Sequence, residues 1–212
     1  IVIAEMLDDA RLFPRELFAA TPTVFLDSNP AAVTSGMPNV LHNAKAICEV
    51  ATREFFSIGC SEIAYAGWFE KVHWSEDKRR ACRDILALHG KKLLELTLTK
   101  KETEDASRLY RRLCVWLESL PRPCGVLAVN DAVAEQILAA ARVCGIPIPS
   151  DLAVIGVIDN ESGCERVTPS LSSVEVDYVA AGEAAMSVLE RHPRTSTAVG
   201  KTILVPPLKL IR

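Results

Sequence analysis

The stretch from Pro121 to Asn160, PRPCGVLAVNDAVAEQILAAARVCGIPIPSDLAVIGVIDN, constrains the fold of this chain more than any other, because it reads strand, helix, strand. Gly125 to Val129 is a short apolar run of the kind that fills a parallel strand covered on both faces, and Asn130-Asp131 ends it with two polar residues. From Ala132 the period becomes helical, with Ala134, Ile137, Leu138 and Ala141 on one stripe. Gly145 stands where a helix closes on a left-handed residue, and Pro147 and Pro149 bar its continuation. Asp151 then opens a second apolar run, Leu152 to Ile158, which ends in Asp159-Asn160. One βαβ unit thus carries a carboxylate at the end of both strands.

In open parallel sheets, ligands bind in the crevice outside the carboxyl ends of the strands. Asp131 and Asp159 face such a crevice, with Asn130 and Asn160 beside them. A carboxylate offers only acceptors, and its two oxygens can take hydrogen bonds from two neighbouring hydroxyls, which suits a sugar diol. The alternative reading of Asn130-Asp131 is a helix N-cap, where Asn and Asp are preferred. Capping and ligand contact are compatible.

At 212 residues and 49% apolar content, the chain can form one large or two small domains. Its net charge of -3 gives no basic footprint for gripping phosphates. Seven cysteines, at 48, 60, 82, 114, 124, 144 and 164, form neither a CxxC pair nor a zinc-type cluster, and the four histidines are equally scattered. Dispersed cysteines on apolar faces suit a reducing cytoplasm. No apolar run is long enough to span a membrane, and the start has no signal-peptide pattern.

Along the chain, residues 1–4 read as a buried strand, 8–20 as a short helix, and 23–26 as a strand ending in Asp27-Ser28-Asn29-Pro30. Residues 31–42, with Gly36 and Pro38, look like a connection. Residues 43–58 are amphipathic and stop at Gly59; 62–66 form a strand; and Gly67-Trp68-Phe69 begins a loop that runs to Trp74. Ser75 reads as the cap of the next helix, with Glu76-Asp77 in its first turn. A strand over 93–98 and a helix over 103–120 lead into the 121–160 unit. Beyond it come a crossing segment at 169–174, a helix over 177–190, and a closing strand over 201–211 that Pro206-Pro207 keeps from being central along its whole length. The alternation makes an α/β protein with parallel sheets. No G-x-G-x-x-G follows a strand, and no G-x-S-x-G or Ser/His/Asp arrangement is visible, so neither a dinucleotide enzyme nor a hydrolase is indicated.

The strings V-L-A-V-N-D-x-x-A, G-I-P-I-P-x-D-L-A-V-I-G and P-S-L-S-S-V, with Gly182 eight residues on, together resemble the effector-binding domain of the LacI/GalR family of bacterial transcription regulators. The likeness extends over the whole chain. Within the family it is nearest to the xylose-operon regulators, in which this domain precedes an AraC-type DNA-binding domain. The resemblance implies two Rossmann-like lobes of the type I periplasmic-binding-protein kind. The N-terminal lobe would comprise 1–41 and 174–197, and the C-terminal lobe 42–173 and 198–212, with a sugar between them. Two further β-α units are expected before residue 1, so the first lobe is incomplete, and DNA contact belongs to a separate domain absent from this chain.

The implied function is binding of a small sugar effector, a pentose such as xylose, in a cytoplasmic homodimer, with no enzymatic activity, cofactor, metal or membrane partner. A periplasmic sugar-binding protein of a transport system shares the fold and is the rival reading. By the same resemblance Asp27 lies near the sugar cleft, although Asp27-Ser28-Asn29-Pro30 is also ordinary turn chemistry. A basic side chain near the start of the helix after Trp74 faces the effector, and alignment allows Lys78 or Arg79; only Arg could bind two oxygens in one plane. Trp74 and Trp68 are candidates to stack on a sugar ring; the alternative for both is packing of the loop against the domain, which is the preferred reading of Trp68. Lys78-Arg79-Arg80, next to Glu76 and Asp77, reads as a solvated face rather than a nucleic-acid patch. Two departures stand out. Val157 and Ile158 separate Gly156 from Asp159 where the family motif has one residue, which implies a bulge or a shift of Asp159 by one pleat, and Asn43 stands where the family commonly has Asp.

Overall fold

The computed structural model describes residues 2–4, 21–31, 33, 37–68, 72–158, 164, 167–191 and 201–211. The helix expected over residues 8–20 lies outside them, as do Asp159 and Asn160. In chain order the elements are β1 (Val2–Ala4), β2 (Val24–Leu26), β3 (Asn39–His42), α1 (Ala44–Ser57), β4 (Glu62–Ala66), α2 (His73–Leu88), β5 (Leu94–Leu96), α3 (Lys100–Thr103) and α4 (Ala106–Ser119). There follow β6 (Cys124–Ala128), α5 (Asp131–Val143), β7 (Leu152–Ile158), β8 (Ser172–Glu175), α6 (Tyr178–Arg191), β9 (Thr202–Val205) and β10 (Lys209–Ile211). Two compact units result. One is Ile1–Asn43 with Val72–Trp74 and Asp177–Pro207; the other is Ala44–Lys71 with Ser75–Val176 and Leu208–Arg212.

The first unit is built on a parallel sheet of order β1-β2-β3-β9. Helix α6 covers it, placing Ala181 and Ala185 against Val24, Val40 and Val205, with Ala184, Val188 and Leu189 packed around them. The apolar stripe read from the sequence is thus the face that packs on the sheet. Strand β3 corrects the reading of 31–42 as a connection. Only Val40 and Leu41 are apolar in it, and it is identified as a strand by neighbours on both sides rather than by its own pattern. The Asn39 side-chain amide donates to the Ser28 carbonyl at 2.8 Å, which anchors the turn after β2 to the start of β3.

The second unit has a six-stranded sheet of order β10-β8-β7-β6-β4-β5, parallel except for the β10–β8 pair. Its middle strands are apolar on both faces, as a parallel sheet sandwiched by helices requires: every residue of β6, and β7 through Val157, is buried. Residues 121–158 form the strand, helix and strand read from the sequence, and α5 ends ahead of Gly145 at φ 66°. On one face Phe55 of α1, fully buried, lies across Gly125 so closely that a Cβ there would come within 2.4 Å of the ring.

Three readings change. The periodicity over 103–120 suggests one helix, but Thr99 closes a separate turn, α3, through a capping box with Glu102, and Asp105 then caps α4 by accepting from the backbone N–H groups of Ser107 and Arg108. The closing strand breaks at Pro206-Pro207: β9 pairs with β3 in the first unit, and β10 turns antiparallel onto β8 in the second. Residues 202–205 therefore belong with the first unit rather than with a lobe of 198–212. Likewise Val174 and Glu175 belong with the second unit, not with a first-lobe segment beginning at 174.

Because the Phe55 ring fills the space above Gly125, Gly125→Ala should cost about 1–3 kcal/mol in urea unfolding. Adding Phe55→Leu should recover part of that loss, whereas additive costs would show that the two positions are independent.

Candidate ligand-binding site

The parallel strands of the second unit end along one edge. The Val129 N–H donates to the Ala66 carbonyl at 2.9 Å and the Gly67 N–H to the Leu96 carbonyl at 3.1 Å. This aligns the residues that leave β4, β5 and β6. Trp68 and the pair Asn130-Asp131 accordingly share the edge at which α/β sheets take ligands.

The polar pair Asn130-Asp131 beyond β6 divides the work that the sequence left open between them. Asn130 is the N-cap of α5, its Oδ1 accepting from the Val133 N–H at 3.0 Å. Asp131, the next residue, lies 5% exposed in the first turn, where a negative charge is favoured by the helix dipole. Its Oδ1 accepts from the Ser173 hydroxyl on β8 at 2.7 Å, reaching past β7. That reach needs Gly156: a Cβ there would come 2.1 Å from Asp131 Oδ1. The carboxylate is thus a buried acceptor held by a third strand, not a cap. Ser173 lies inside the P-S-L-S-S-V string, but only its position opposite Gly156 in the β7–β8 register reveals the partnership.

The extra residue after Gly156 does not disturb that register, since Val157 and Ile158 pair regularly with Val174 and Glu175. Ile158, the last residue of β7, has φ 114°, a backbone region that a β-branched residue rarely adopts.

Ser75 is not the cap of α2, which begins at His73; it lies buried in the first turn and organises the loop after β4. Its Oγ accepts from the Trp68 N–H at 3.1 Å, and its carbonyl accepts from the Tyr65 hydroxyl at 2.9 Å. Burial pushes the Tyr65 phenol well above its usual value, so it remains a donor. Trp68 is half-buried and held by this loop, and Trp74 is half-buried at the start of α2.

Lys78 and Arg79 part company on α2. Arg79 pairs with Glu76 one turn earlier and with Glu95 on β5 at 3.1 Å, and Arg83 reaches the other oxygen of Glu95 at 2.6 Å. Arg80 pairs with Asp77. Arg79 is therefore committed to carboxylates of its own unit. Lys78 lies on the stripe of Ser75 and Cys82, its carbonyl accepting from the Cys48 thiol at 3.3 Å.

The first unit carries its own polar group. Asp27, at φ 47° just past β2, accepts from the His42 backbone N–H at 2.9 Å through Oδ1, and its Oδ2 lies 2.7 Å from His42 Nδ1. The imidazole stands edge-on to Tyr178, ring centroids 5.0 Å apart. Because a carboxylate only accepts, Nδ1 carries the proton; Nε2 is buried without a hydrogen-bond partner among the described residues. His42 was not legible in the sequence, because its role depends on β3 ending beside β2.

The fold is that of an α/β protein built on parallel-rich sheets. The chain belongs to the periplasmic binding protein-like domain family, whose profile matches residues 52–212. The particular relatives are regulators. The xylose operon regulatory protein of Haemophilus influenzae is 29% identical over 174 residues, covering 81% of this chain and 45% of that protein. The solved structure of the xylose-binding transcription activator xylR superposes at a TM-score of 0.83 with 26% identity, over 100% of this chain and 57% of that one. The lac repressor dimer bound to operator matches at 0.76 and 16%, over 100% of this chain and 71% of that one, and so shares the fold. The LacI/GalR resemblance read from the sequence therefore holds. The chain spans less than half the length of the xylose operon regulatory protein it matches.

Burial alone would raise the Glu95 carboxyl, but hydrogen bonds from Arg83 and Arg79, with their charges, outweigh it and hold Glu95 below its usual value. A carboxyl depressed in the folded state contributes stability above its unfolded-state value and loses it as pH falls through the folded-state one. The stability advantage of the wild type over Arg79→Ala, about 1 kcal/mol at neutral pH, should therefore shrink as chemical unfolding is repeated at pH values down through the carboxylate range. A constant advantage would mean that Glu95 is not the partner that matters.

Proposed function

We propose that this chain is the effector-binding part of a bacterial transcription regulator and that its effector is a small sugar, a pentose with xylose first among the candidates. The observation that carries the reading is the Asp131 carboxylate. It is buried at the carboxyl edge of a parallel sheet and oriented by Ser173 in a space that only Gly156 leaves open. A carboxylate fixed in this way can accept from sugar hydroxyls without reorganising, which is what preorganisation supplies to affinity. The names of the relatives support xylose: one regulates a xylose operon and one is a xylose-binding activator.

On this reading Lys78 is the basic side chain directed to the effector, since Arg79 already holds two carboxylates. Trp74 and Trp68 supply faces for stacking against the C–H side of a ring. Asp27, joined to His42, and Asp159 with Asn160 complete the proposed contacts. The regulator works in the cytoplasm as a homodimer and touches DNA through a separate domain. A sugar controls it only through the difference in its affinity for two states, and moving the balance from 1:99 to 99:1 requires about 5.5 kcal/mol.

Calorimetric titration with xylose, arabinose, ribose, glucose and galactose tests the effector. Saturable binding of one pentose is expected, weakened roughly 100-fold by Asp131→Ala, the loss of about two charge-assisted hydrogen bonds. Lys78→Ala should weaken binding and Arg79→Ala should leave it within about threefold. Unchanged affinity on Asp131→Ala would reduce that residue to a structural role, and absence of binding by every sugar would move the effector to another chemical class.

A further inference from the structure

A buried acceptor without a donor lies in the first unit, at the carboxyl end of its sheet. Strands β2 and β3 are parallel neighbours, so Asp27, just past β2, and His42, the last residue of β3, share the edge at which such sheets take ligands. Their side chains are 24% and 11% exposed. His42 engages both oxygens of the Asp27 carboxylate, Oδ1 through its backbone N–H at 2.9 Å and Oδ2 through Nδ1 at 2.7 Å. The imidazole is thereby fixed in orientation and in tautomer: Nδ1 keeps the proton, and Nε2 is left as a bare acceptor.

That Nε2 is buried, and no donor among the described residues answers it. An unanswered buried acceptor costs free energy and calls for an explanation. The backbone points the same way, because Asp27 adopts φ 47°, in the left-handed region, where it sets its carboxylate against His42. Sparsely populated conformations of this kind gather at ligand clamps and switch regions. Tyr178 stands edge-on to the imidazole, ring centroids 5.0 Å apart, and is 54% exposed in the first turn of α6. Exposed side chains change rotamer on the fast timescale of picoseconds to nanoseconds.

We propose that His42 is an effector contact. Its Nε2 accepts a hydrogen bond from one hydroxyl of a pentose, Tyr178 shifts to admit that hydroxyl, and Asp27 is the positioning residue that keeps Nε2 unprotonated. This contact rests on the pentose reading of the site and assigns one hydroxyl of the effector to the first unit. A bare Nε2 only accepts, so the sugar must present an O–H at that place, and a sugar lacking it is disfavoured.

Long-range proton–nitrogen NMR of the nitrogen-labelled chain reads the imidazole directly during titration with xylose, arabinose and ribose. In the wild type the His42 Nε2 resonance should be that of an unprotonated nitrogen, and it should move upfield as the binding pentose saturates. Asp27→Asn, whose amide can donate to Nδ1, should transfer the proton to Nε2 and weaken that pentose roughly tenfold. His42→Asn keeps a donor for Asp27 but lacks Nε2, and should cost a similar factor. Among the monodeoxy analogues of the pentose, one should bind the wild type roughly tenfold more weakly than the parent sugar, and His42→Asn should no longer tell the two apart. Saturation by a pentose with Nε2 unmoved, or a wild-type Nε2 that already carries the proton, would overturn the contact alone. No binding by any pentose would overturn it together with the pentose reading. The wild-type spectra decide even if a variant fails to fold.

Discussion

A buried carboxylate must have its oxygens answered, and in this protein the answer to Asp131 organises the carboxyl edge of the second unit. Left bare at 5% exposure, the charge would cost several kcal/mol. The Ser173 hydroxyl and the positive end of α5 offset that cost. The arrangement also ties three strands together. Asp131 follows β6, Ser173 stands on β8, and the strand between them must carry glycine at 156 for the side chain to pass. Asn130 takes the capping duty, while its neighbour's carboxylate accepts from Ser173 on β8.

The same economy of charge separates the neighbouring cations of α2. Arg79, with a planar fork, is matched to Glu76 and Glu95, while Arg83 takes the second oxygen of Glu95. The Lys78-Arg79-Arg80 run is thus mostly spent on its own acidic partners, in keeping with a solvated face rather than a surface for nucleic acid. Lys78 lies on a different stripe of the helix, toward Ser75 and Cys82. Adjacent positions in sequence are 100° apart around a helix, and that rotation gives two similar residues different surroundings.

Cysteines show how little linear spacing says about burial. Nothing in the positions 48, 60, 82, 114, 124, 144 and 164 suggests which are shielded. Burial in the tertiary structure separates Cys48, Cys60, Cys82, Cys124 and Cys164, which are buried, from Cys114 and Cys144, which are partly exposed. Their chemistry is decided by exposure, which tertiary structure alone sets.

By itself the sequence determined the α/β class, the 121–160 unit almost to the residue, the apolar stripe of α6, and a carboxylate at the end of β6. Each rests on local signals: an apolar run, a 3.6-residue period, an Asn where a helix starts and a Gly where one ends. Tertiary structure decided what such signals cannot carry. Strand β3 exists because β2 and β9 flank it, and the closing segment divides between two sheets because Pro206-Pro207 breaks the ladder. The partnerships of Arg79 with Glu95, Ser75 with Trp68, Ser173 with Asp131 and His42 with Asp27 all depend on residues brought together by the fold. A side chain's partner across a sheet is set by register, and register is a property of the assembled strands, not of any one of them.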